Sequence, residues 1–363
     1  MIKVGSDFSG VGAFDQALMR LGINYKTIFS CDMDKYARQT YIENYGEPDY
    51  YPADVYDREI PKESLDIYMT SPPCQAFSMA GKRLGKEDKR GILFFNSHEF
   101  IQKNNPRYFI FENVKGLLSH EEGKTFQEWI NYLGGKSING LPVLFPDENA
   151  VPYHLYYKVL NSKKLDVPQN RERIFIIGIR DDQDNFFQFP KDEPLTKKLK
   201  DVLQKEADDK YFLSAKMLNC LINHKSDKFI IATPVINESN IARTLKTEMA
   251  KMGRQDNFIR VKSATKKGYE LAKEGDSINL SVPNSETRRG RVGKEVAQTL
   301  DTQCNQASFQ NGLIRRLTPR ECFRLMDFPD SFKWSVSDSQ AYKQAGNSIV
   351  VKCLEKIIEK FRL

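Results

Sequence analysis

The stretch Ile2-Lys3-Val4-Gly5-Ser6-Asp7-Phe8-Ser9-Gly10-Val11-Gly12-Ala13-Phe14 decides the fold. Ile2 to Phe8 is a short apolar strand. From Gly12 to Leu21 the residues Phe14, Ala17, Leu18 and Leu21 fall on one helical face. Strand, glycine turn and helix in that order open a parallel α/β sheet. Glycines at such a turn let a ligand approach the backbone, and the helix start behind them offers unpaired amides to a negative group. A plain tight turn would read the same way. The three-glycine dinucleotide pattern is incomplete, because position 15 is Asp.

Working outward, the alternation continues for about 180 residues. Tyr25 to Cys31 reads as a second strand and Asp34 to Tyr45 as a second helix. Leu65 to Thr70 reads as a strand, Ile92 to Gln102 as a helix, and Arg107 to Phe111 and Arg173 to Ile179 as buried strands. The fold class expected is α/β, a parallel Rossmann-like sheet with helices on both faces. From about Asp181 to Gly312 the periodicity decays into short mixed segments, read as a smaller irregular domain. Regular structure returns at Leu317, with a C-terminal helix expected over Asn347 to Phe361. The domains are therefore drawn at 1–180, 181–312 and 313–363.

Composition narrows the function class. The 363 residues are 40% hydrophobic and 28% charged, enough to bury a core. No apolar run is long enough to span a bilayer, and the N-terminus reads as a strand rather than a signal peptide. A cytoplasmic protein with reduced thiols is expected. The six cysteines include no C-x-x-C pair and the four histidines lie far apart, so no metal is expected. The net charge of +7 is unevenly spread: Arg243 to Lys294 holds 13 Lys and Arg against 6 Asp and Glu. A solvated surface accounts for some of this, and a polyanionic partner accounts for the clustering.

Further segments carry chemistry. Ser71-Pro72-Pro73-Cys74-Gln75-Ala76-Phe77-Ser78 follows a strand, and two prolines hold the thiol at the carboxyl edge of the sheet. Behind it, Gly81 to Gly91 is glycine-flanked and highly charged, the pattern of a lid. Phe111-Glu112-Asn113-Val114 ends another apolar strand, where Glu112 is either a capping carboxylate or a reacting group. Gln169-Asn170-Arg171-Glu172-Arg173 leads into Ile174 to Gly178, and its arginines can grip a carboxylate or a base carbonyl. Asp32 lies 20 residues after Gly12, where a carboxylate can accept from a ribose diol. Asp54-Val55 closes a third segment.

Taken in order, these blocks resemble the DNA (cytosine-5)-methyltransferase family over nearly the whole chain. FSGVGAF (8–14), SPPCQAFS (71–78), RGILFF (90–95), FENVKG (111–116), QNRERIFIIG (169–178), RRLTPRECFRLMDFP (315–329) and QAYKQAGNSIV (340–350) all have counterparts there. The resemblance implies methylation of carbon 5 of a flipped cytosine in double-stranded DNA, with S-adenosylmethionine as donor. The absent pyrophosphate cradle suits that cofactor better than a dinucleotide. Catalytic residues implied are Cys74, Glu112 and Arg173, with Arg171 in support. Cofactor residues implied are Phe8, Ser9, Gly10, Gly12, Asp32, Met33, Asp54, Val55, Pro73, Leu93, Asn347 and Ser348. Gln75, Ser78, Arg90, Asn113 and Thr299 are implied on the DNA side, and 181–312 is the implied target-reading region. Arg243, Arg254, Arg288, Arg289 and Arg291 are its candidates for guanine or phosphate contacts. Compact size with one such region suggests a monomeric bacterial or phage modification enzyme.

The chain departs from the family at Ser6, Asp32 and Met33. The family's usual aspartate stands two residues before the first-motif phenylalanine, where this chain has Ser6, and Asp7 adjoins Phe8 instead. Asp32 replaces the usual glutamate, and Met33 the aromatic that often follows it. Rival readings are a tRNA cytosine-5 methylase, whose Cys-Phe-Thr signature is absent, and a non-catalytic DNA-binding relative, which retention of Cys74 and Glu112 disfavours. A dinucleotide oxidoreductase leaves Pro-Cys-Gln and Glu-Asn-Val unexplained.

Overall fold

The computed structural model describes residues 1–73, 92–183, 186–214, 259–310 and 313–363. The expectations for Cys74, Gln75, Ser78, Arg90, Arg243, Arg254 and the lid over 81–91 fall outside the described residues.

An eight-stranded sheet organises the first half. Its strands are β1 (Ile2–Asp7), β2 (Tyr25–Cys31), β3 (Ile67–Thr70), β4 (Tyr108–Val114), β5 (Ser137–Ile138), β6 (Leu141–Pro142), β7 (Tyr153–Asn161) and β9 (Glu172–Arg180), in the order β2-β1-β3-β4-β9-β7-β5-β6. A two-residue strand β8 (Gln169–Asn170) lies outside it. Helices α1 (Ala13–Arg20), α2 (Lys35–Tyr45), α3 (Ile92–Asn104) and α4 (Lys124–Leu133) connect the strands. Gly12, with φ +81°, precedes α1, and the Asp34 carboxylate accepts from the Tyr36 and Ala37 amides to start α2.

Strand β4 shows why its sequence is an unbroken apolar run. Tyr108 and Ile110 join one buried cluster, with α1 and the C-terminal helices, while Phe109 and Phe111 join the other, with α3 and α4. A strand covered on both faces has no polar side to alternate with. Strands β1 to β4 run parallel, as expected, but the sheet is mixed. Strand β9 is antiparallel to both β4 and β7. Strand β7 was not foreseen, since its tyrosines, histidine and lysine blur the pattern. The connection over residues 162–171 is too short for a crossover, so β7 and β9 must pair antiparallel.

The later region is less irregular than expected. It holds α5 (Leu199–Val202), a hairpin of β10 (Ile259–Lys262) and β11 (Tyr269–Ala272), and a four-stranded sheet of β12 (Ser277–Asn279), β13 (Val292–Gly293), β15 (Gln306–Gln310) and β16 (Leu313–Arg316). Between these, β14 (Ala297–Gln298) pairs with β8 of the first half. The strands are too short for their alternation to show in sequence. The expected C-terminal helix is broken. After α6 (Pro319–Leu325), α7 (Asp338–Asn347) ends where the helix was to begin, and α8 (Val351–Ile358) restarts after Ser348-Ile349-Val350.

Phe109 and Gly178 are register partners, and a Cβ on Gly178 would come within 2.0 Å of the Phe109 ring. Gly178→Ala should therefore destabilise the protein by about 1–3 kcal/mol in urea unfolding, as overpacking does. Adding Phe109→Leu should recover part of that loss. An unchanged unfolding midpoint in the single variant would contradict this packing.

Candidate active site

The carboxyl end of β4 carries Glu112, which is 8% exposed. Arg173 reaches it from β9, with Nε 3.2 Å from the Glu112 Oε1. Register explains the meeting. Arg173 pairs with Val114, two residues along from Glu112 and on the same face of the sheet, so the two side chains are diagonal neighbours. Burial pushes the Glu112 carboxyl up from the ordinary glutamate range, and the guanidinium charges of Arg173 and Arg171 pull it down. Arg173 also donates from Nη1 to the Glu172 carbonyl at 2.8 Å, which orients it.

Asn113 lies next to Glu112 but is 4% exposed. Its Nδ2 donates to the Pro72 carbonyl at 3.1 Å, and its Oδ1 accepts from the Val114 amide at 2.8 Å. Its amide thus holds the loop that leads into Cys74, and both ends of it are engaged within the protein. Burial leaves this side chain without a surface for the DNA contact expected of it. Ser71 ties the same loop to the first glycine turn by donating to the Phe8 carbonyl at 3.4 Å. Pro73, the last described residue before Cys74, is exposed.

Arg171 does not reach the Glu112 carboxylate in a direct contact. It is 3% exposed and donates to three carbonyls: Leu300 at 3.1 Å, Gly346 at 2.9 Å and Ser348 at 2.8 Å. Burial pushes its guanidinium down to about 9, with Arg173 adding to the fall and Glu112 opposing it. Gln169 makes a similar junction. Its Nε2 donates to the Leu325 carbonyl at 2.8 Å and its Oε1 accepts from the Leu300 amide at 3.2 Å. The exposed Thr299 donates to the Asn170 carbonyl at 2.8 Å. Together they clamp the Thr299-Leu300 pair and the C-terminal segment onto the start of β9. The sequence hinted at Arg171 and Thr299, but nothing in it pointed to Gln169.

The expected cofactor residues gather at the carboxyl ends of β1 and β2. Gly10, with φ +56°, has open space above it, and a Cβ there would meet nothing within 4 Å. Its amide donates to Asp32 Oδ2 at 2.8 Å, and the Asp34 amide donates to Asp32 Oδ1 at 2.8 Å. Burial raises the Asp32 carboxyl, and those two amides oppose the rise. A carboxylate has about four acceptor positions, so Asp32 retains capacity for hydroxyl donors. Met33 is 85% exposed beside it and Asp54 is exposed, while Val55 is buried. Phe8, with φ +57°, and Leu93 are half-buried against the same cluster. Ser9 shares a 3.2 Å hydrogen bond with the Tyr51 hydroxyl. Helix α7 packs on α2 through Lys343 to Asp34 at 2.7 Å and Gln344 to the Tyr36 carbonyl at 2.9 Å. That contact brings exposed Asn347 and buried Ser348 to this side. Open space beside spare carboxylate acceptors fits an adenosyl group with its ribose diol.

Asp7 explains one departure in sequence. It is 1% exposed, and its carboxylate takes Arg58 Nε at 3.0 Å and the Tyr68 hydroxyl at 2.6 Å. Burial still holds its carboxyl above the ordinary aspartate range. It braces the end of β1, a part that sequence could not assign because Arg58 stands alone in a loop. Among the described residues no helix is long and apolar enough to cross a membrane, and no group of His, Cys, Asp and Glu could hold a metal ion.

Parallel strands ending at an open glycine turn, with a carboxylate closing the second strand, form a Rossmann-like edge that takes a nucleoside. The family model for C-5 cytosine-specific DNA methylases matches residues 2–362. The chain belongs to that family. It is 34% identical to the type II methyltransferase M.HpaII of Haemophilus parainfluenzae, over 97% of this chain and 88% of that one. It is 31% identical to the orphan methyltransferase M.SPRI of Bacillus phage SPR, over 99% and 97%. Among solved structures, Schizosaccharomyces pombe Dnmt2 superimposes with a TM-score of 0.60 at 19% identity, covering 99% of this chain and 97% of that one. Spodoptera frugiperda DNMT2 gives 0.62 at 18%, covering 99% of each. At these identities the structural likeness speaks for the fold.

The Asp7–Arg58 pair yields a pH-dependent prediction. Arg58→Met should cost about 3 kcal/mol at pH 7, because a buried carboxylate loses its cation. Asp7 takes up its proton more readily when folded, so the cost should shrink as pH falls and the carboxyl is neutralised. Urea unfolding of both proteins at pH 7 and pH 5 measures it. A cost that grew on acidification would overturn the assignment.

Proposed function

We propose that this DNA cytosine-5 methyltransferase works through covalent addition by Cys74, with Glu112 and Arg173 handling the base. Carbon 5 of cytosine is a poor nucleophile, and attack of a thiolate on carbon 6 turns the ring into an enamine that reacts at carbon 5. S-adenosylmethionine, when bound, supplies the methyl group as an electrophile. Glu112 is assigned to N3 and the exocyclic amine. A carboxyl held up by burial yet tempered by Arg173 can share a proton with N3 and drain charge from the adduct. Arg173 is assigned to the O2 carbonyl. Loss of the carbon-5 proton to a base, reached through water, lets the Cys74 sulfur leave by elimination. None of these atoms is reachable within a stacked duplex, so the cytosine is taken out of the helix. The observation that carries this reading is the buried Glu112 carboxylate paired with the half-buried Arg173, beside an asparagine that grips the loop entering Cys74.

The cofactor contacts are assigned to Phe8, Ser9, Gly10, Gly12, Asp32, Met33, Asp54, Val55, Pro73, Leu93, Asn347 and Ser348. Arg171 is assigned a positioning role, since its donors go to backbone carbonyls. The target-reading region is assigned to 181–312, with Gln75, Ser78, Arg90 and Thr299 on the DNA side. Support within that region comes from two loops joined by a 2.9 Å hydrogen bond from the Ala264 amide to the Arg288 carbonyl. Exposed Lys266, Lys267 and Arg289 lie on these loops. Arg291 is removed from the candidate readers. It is 1% exposed and donates to the carbonyls of Asn279, Ser281 and Val282, so it shapes the second loop from inside. We infer a monomer acting in the bacterial cytoplasm or nucleoid, its methylation serving restriction-modification protection. The type II relatives support that setting.

Cys74→Ala should bind duplex DNA with little change and give no 5-methylcytosine. Duplex DNA with 5-fluorocytosine at the target should trap the active enzyme covalently, since fluorine cannot leave as a proton does. Label from S-adenosylmethionine appearing in tRNA alone would sink the DNA assignment. A second outcome concerns the paired loops. Replacing Arg288 and Arg289 by Ala should reduce the slope of log K against log salt by about 1–2 if they meet phosphates, since each phosphate contact contributes about 0.9. An unchanged slope would remove both from the interface.

A further inference from the structure

Cys304 and Cys322 lie together, and the methylation chemistry uses neither. Their Sγ atoms are 3.1 Å apart, each residue is 1% exposed, and both are free thiols. Disulfide sulfurs sit about 2.05 Å apart, so joining the two requires an approach of about 1 Å. Local geometry aims Cys304 inward. Its φ is +46°, its amide donates to the Asp301 carbonyl at 3.2 Å, and its own carbonyl takes Arg316 Nε at 3.0 Å. The Asp301 carboxylate pins the rest of this loop through the Gln303 and Asn305 amides, both at 3.1 Å. Cys322 lies in α6, whose first turn is fixed by the Thr318–Glu321 capping box and by Arg315 bonded to Glu321. Two well-held backbones thus present their thiols to each other across the junction between the Thr299-Leu300 loop and the C-terminal segment.

We propose that Cys304 and Cys322 form a redox modification site, a latent disulfide that staples the loop after Thr299-Leu300 to α6. With a peroxide as oxidant the step balances. One sulfur attacks a peroxide oxygen, breaking the O–O bond, releasing water and leaving a sulfenic acid. The second sulfur then displaces the sulfenic oxygen as another water. The thiols lose two electrons and two hydrogens, and the peroxide is reduced to two waters. Hydrogen peroxide is small enough to enter on local opening. Burial raises the Cys322 thiol well above the ordinary range, which slows attack by suppressing the thiolate. The site therefore responds to sustained rather than brief oxidation, and a thiol reductant reverses it.

The test uses full-length Cys74→Ala protein, which removes the competing thiol assigned to catalysis. The protein is incubated with hydrogen peroxide or diamide, then denatured in an alkylating agent and mapped by mass spectrometry. The expected result is a peptide pair linked through Cys304 and Cys322, unalkylated at both and released by dithiothreitol. The melting temperature should rise by roughly 5 °C on oxidation, as a cross-link closing a short loop predicts, and the added Cys322→Ala change should abolish both effects. Cys304→Ala provides the matching control on the other side. Full alkylation of both thiols after prolonged treatment of folded protein would overturn the proposal. So would linkage of either one to a different cysteine.

Discussion

A carboxylate and a guanidinium held together where water is scarce set the terms for this site. Glu112 ends a strand buried on both faces, so its charged form is disfavoured from the start. Arg173 counters that only because β9 runs antiparallel to β4 in a register that sets it diagonally across. A parallel strand in that place would enter from the opposite end and carry its first residues away from the edge. The mixed sheet is thus a condition for the site: β7 and β9 turn back so that an arginine can meet a glutamate at the carboxyl end.

Around that pair the protein gathers three distant stretches of chain. Arg171, two residues before Arg173, donates to carbonyls at Leu300, Gly346 and Ser348, and Gln169 adds Leu325. Arg171 is a fully buried cation with no carboxylate in contact, so its charge is supported by carbonyl dipoles and by the field of Glu112. The β8–β14 pairing at the same junction ties the later region to the sheet. The geometry of Arg173 and the seating of the C-terminal helices are therefore one problem, solved by one short segment, QNRER. Along the same carboxyl edge, two strands away, Asp7, Arg58 and Tyr68 brace β1 in the same manner, with a buried charge satisfied by a cation and a hydroxyl.

The opening strand, glycine turn and helix were legible because local patterning and burial agree there. Strand β4 was legible as an apolar run, and Glu112 stood out at its end. What could not be read depends on partners remote in sequence. Strand β7 alternates too weakly to declare itself, so the antiparallel half of the sheet was missed. Asn113 gave no local sign that its amide belongs to Pro72, nor Arg291 that it faces three carbonyls rather than a phosphate. Positive charge in a sequence marks the surface on average, and a buried arginine defeats that average. The helix expected over Asn347 to Phe361 starts only at Val351, and in the break before it Ser348 turns its carbonyl to Arg171, a contact invisible in the helix itself.

The protonation of Glu112 tests the central claim most directly. Carbon-13 NMR of its labelled side-chain carboxyl, titrated in the wild type and in Arg173→Ala, reads the balance of burial against the cation. The expected midpoint lies above that of an ordinary glutamate in the wild type and rises further once Arg173 is gone. A wild-type midpoint at the ordinary value, unmoved by the substitution, would contradict the account.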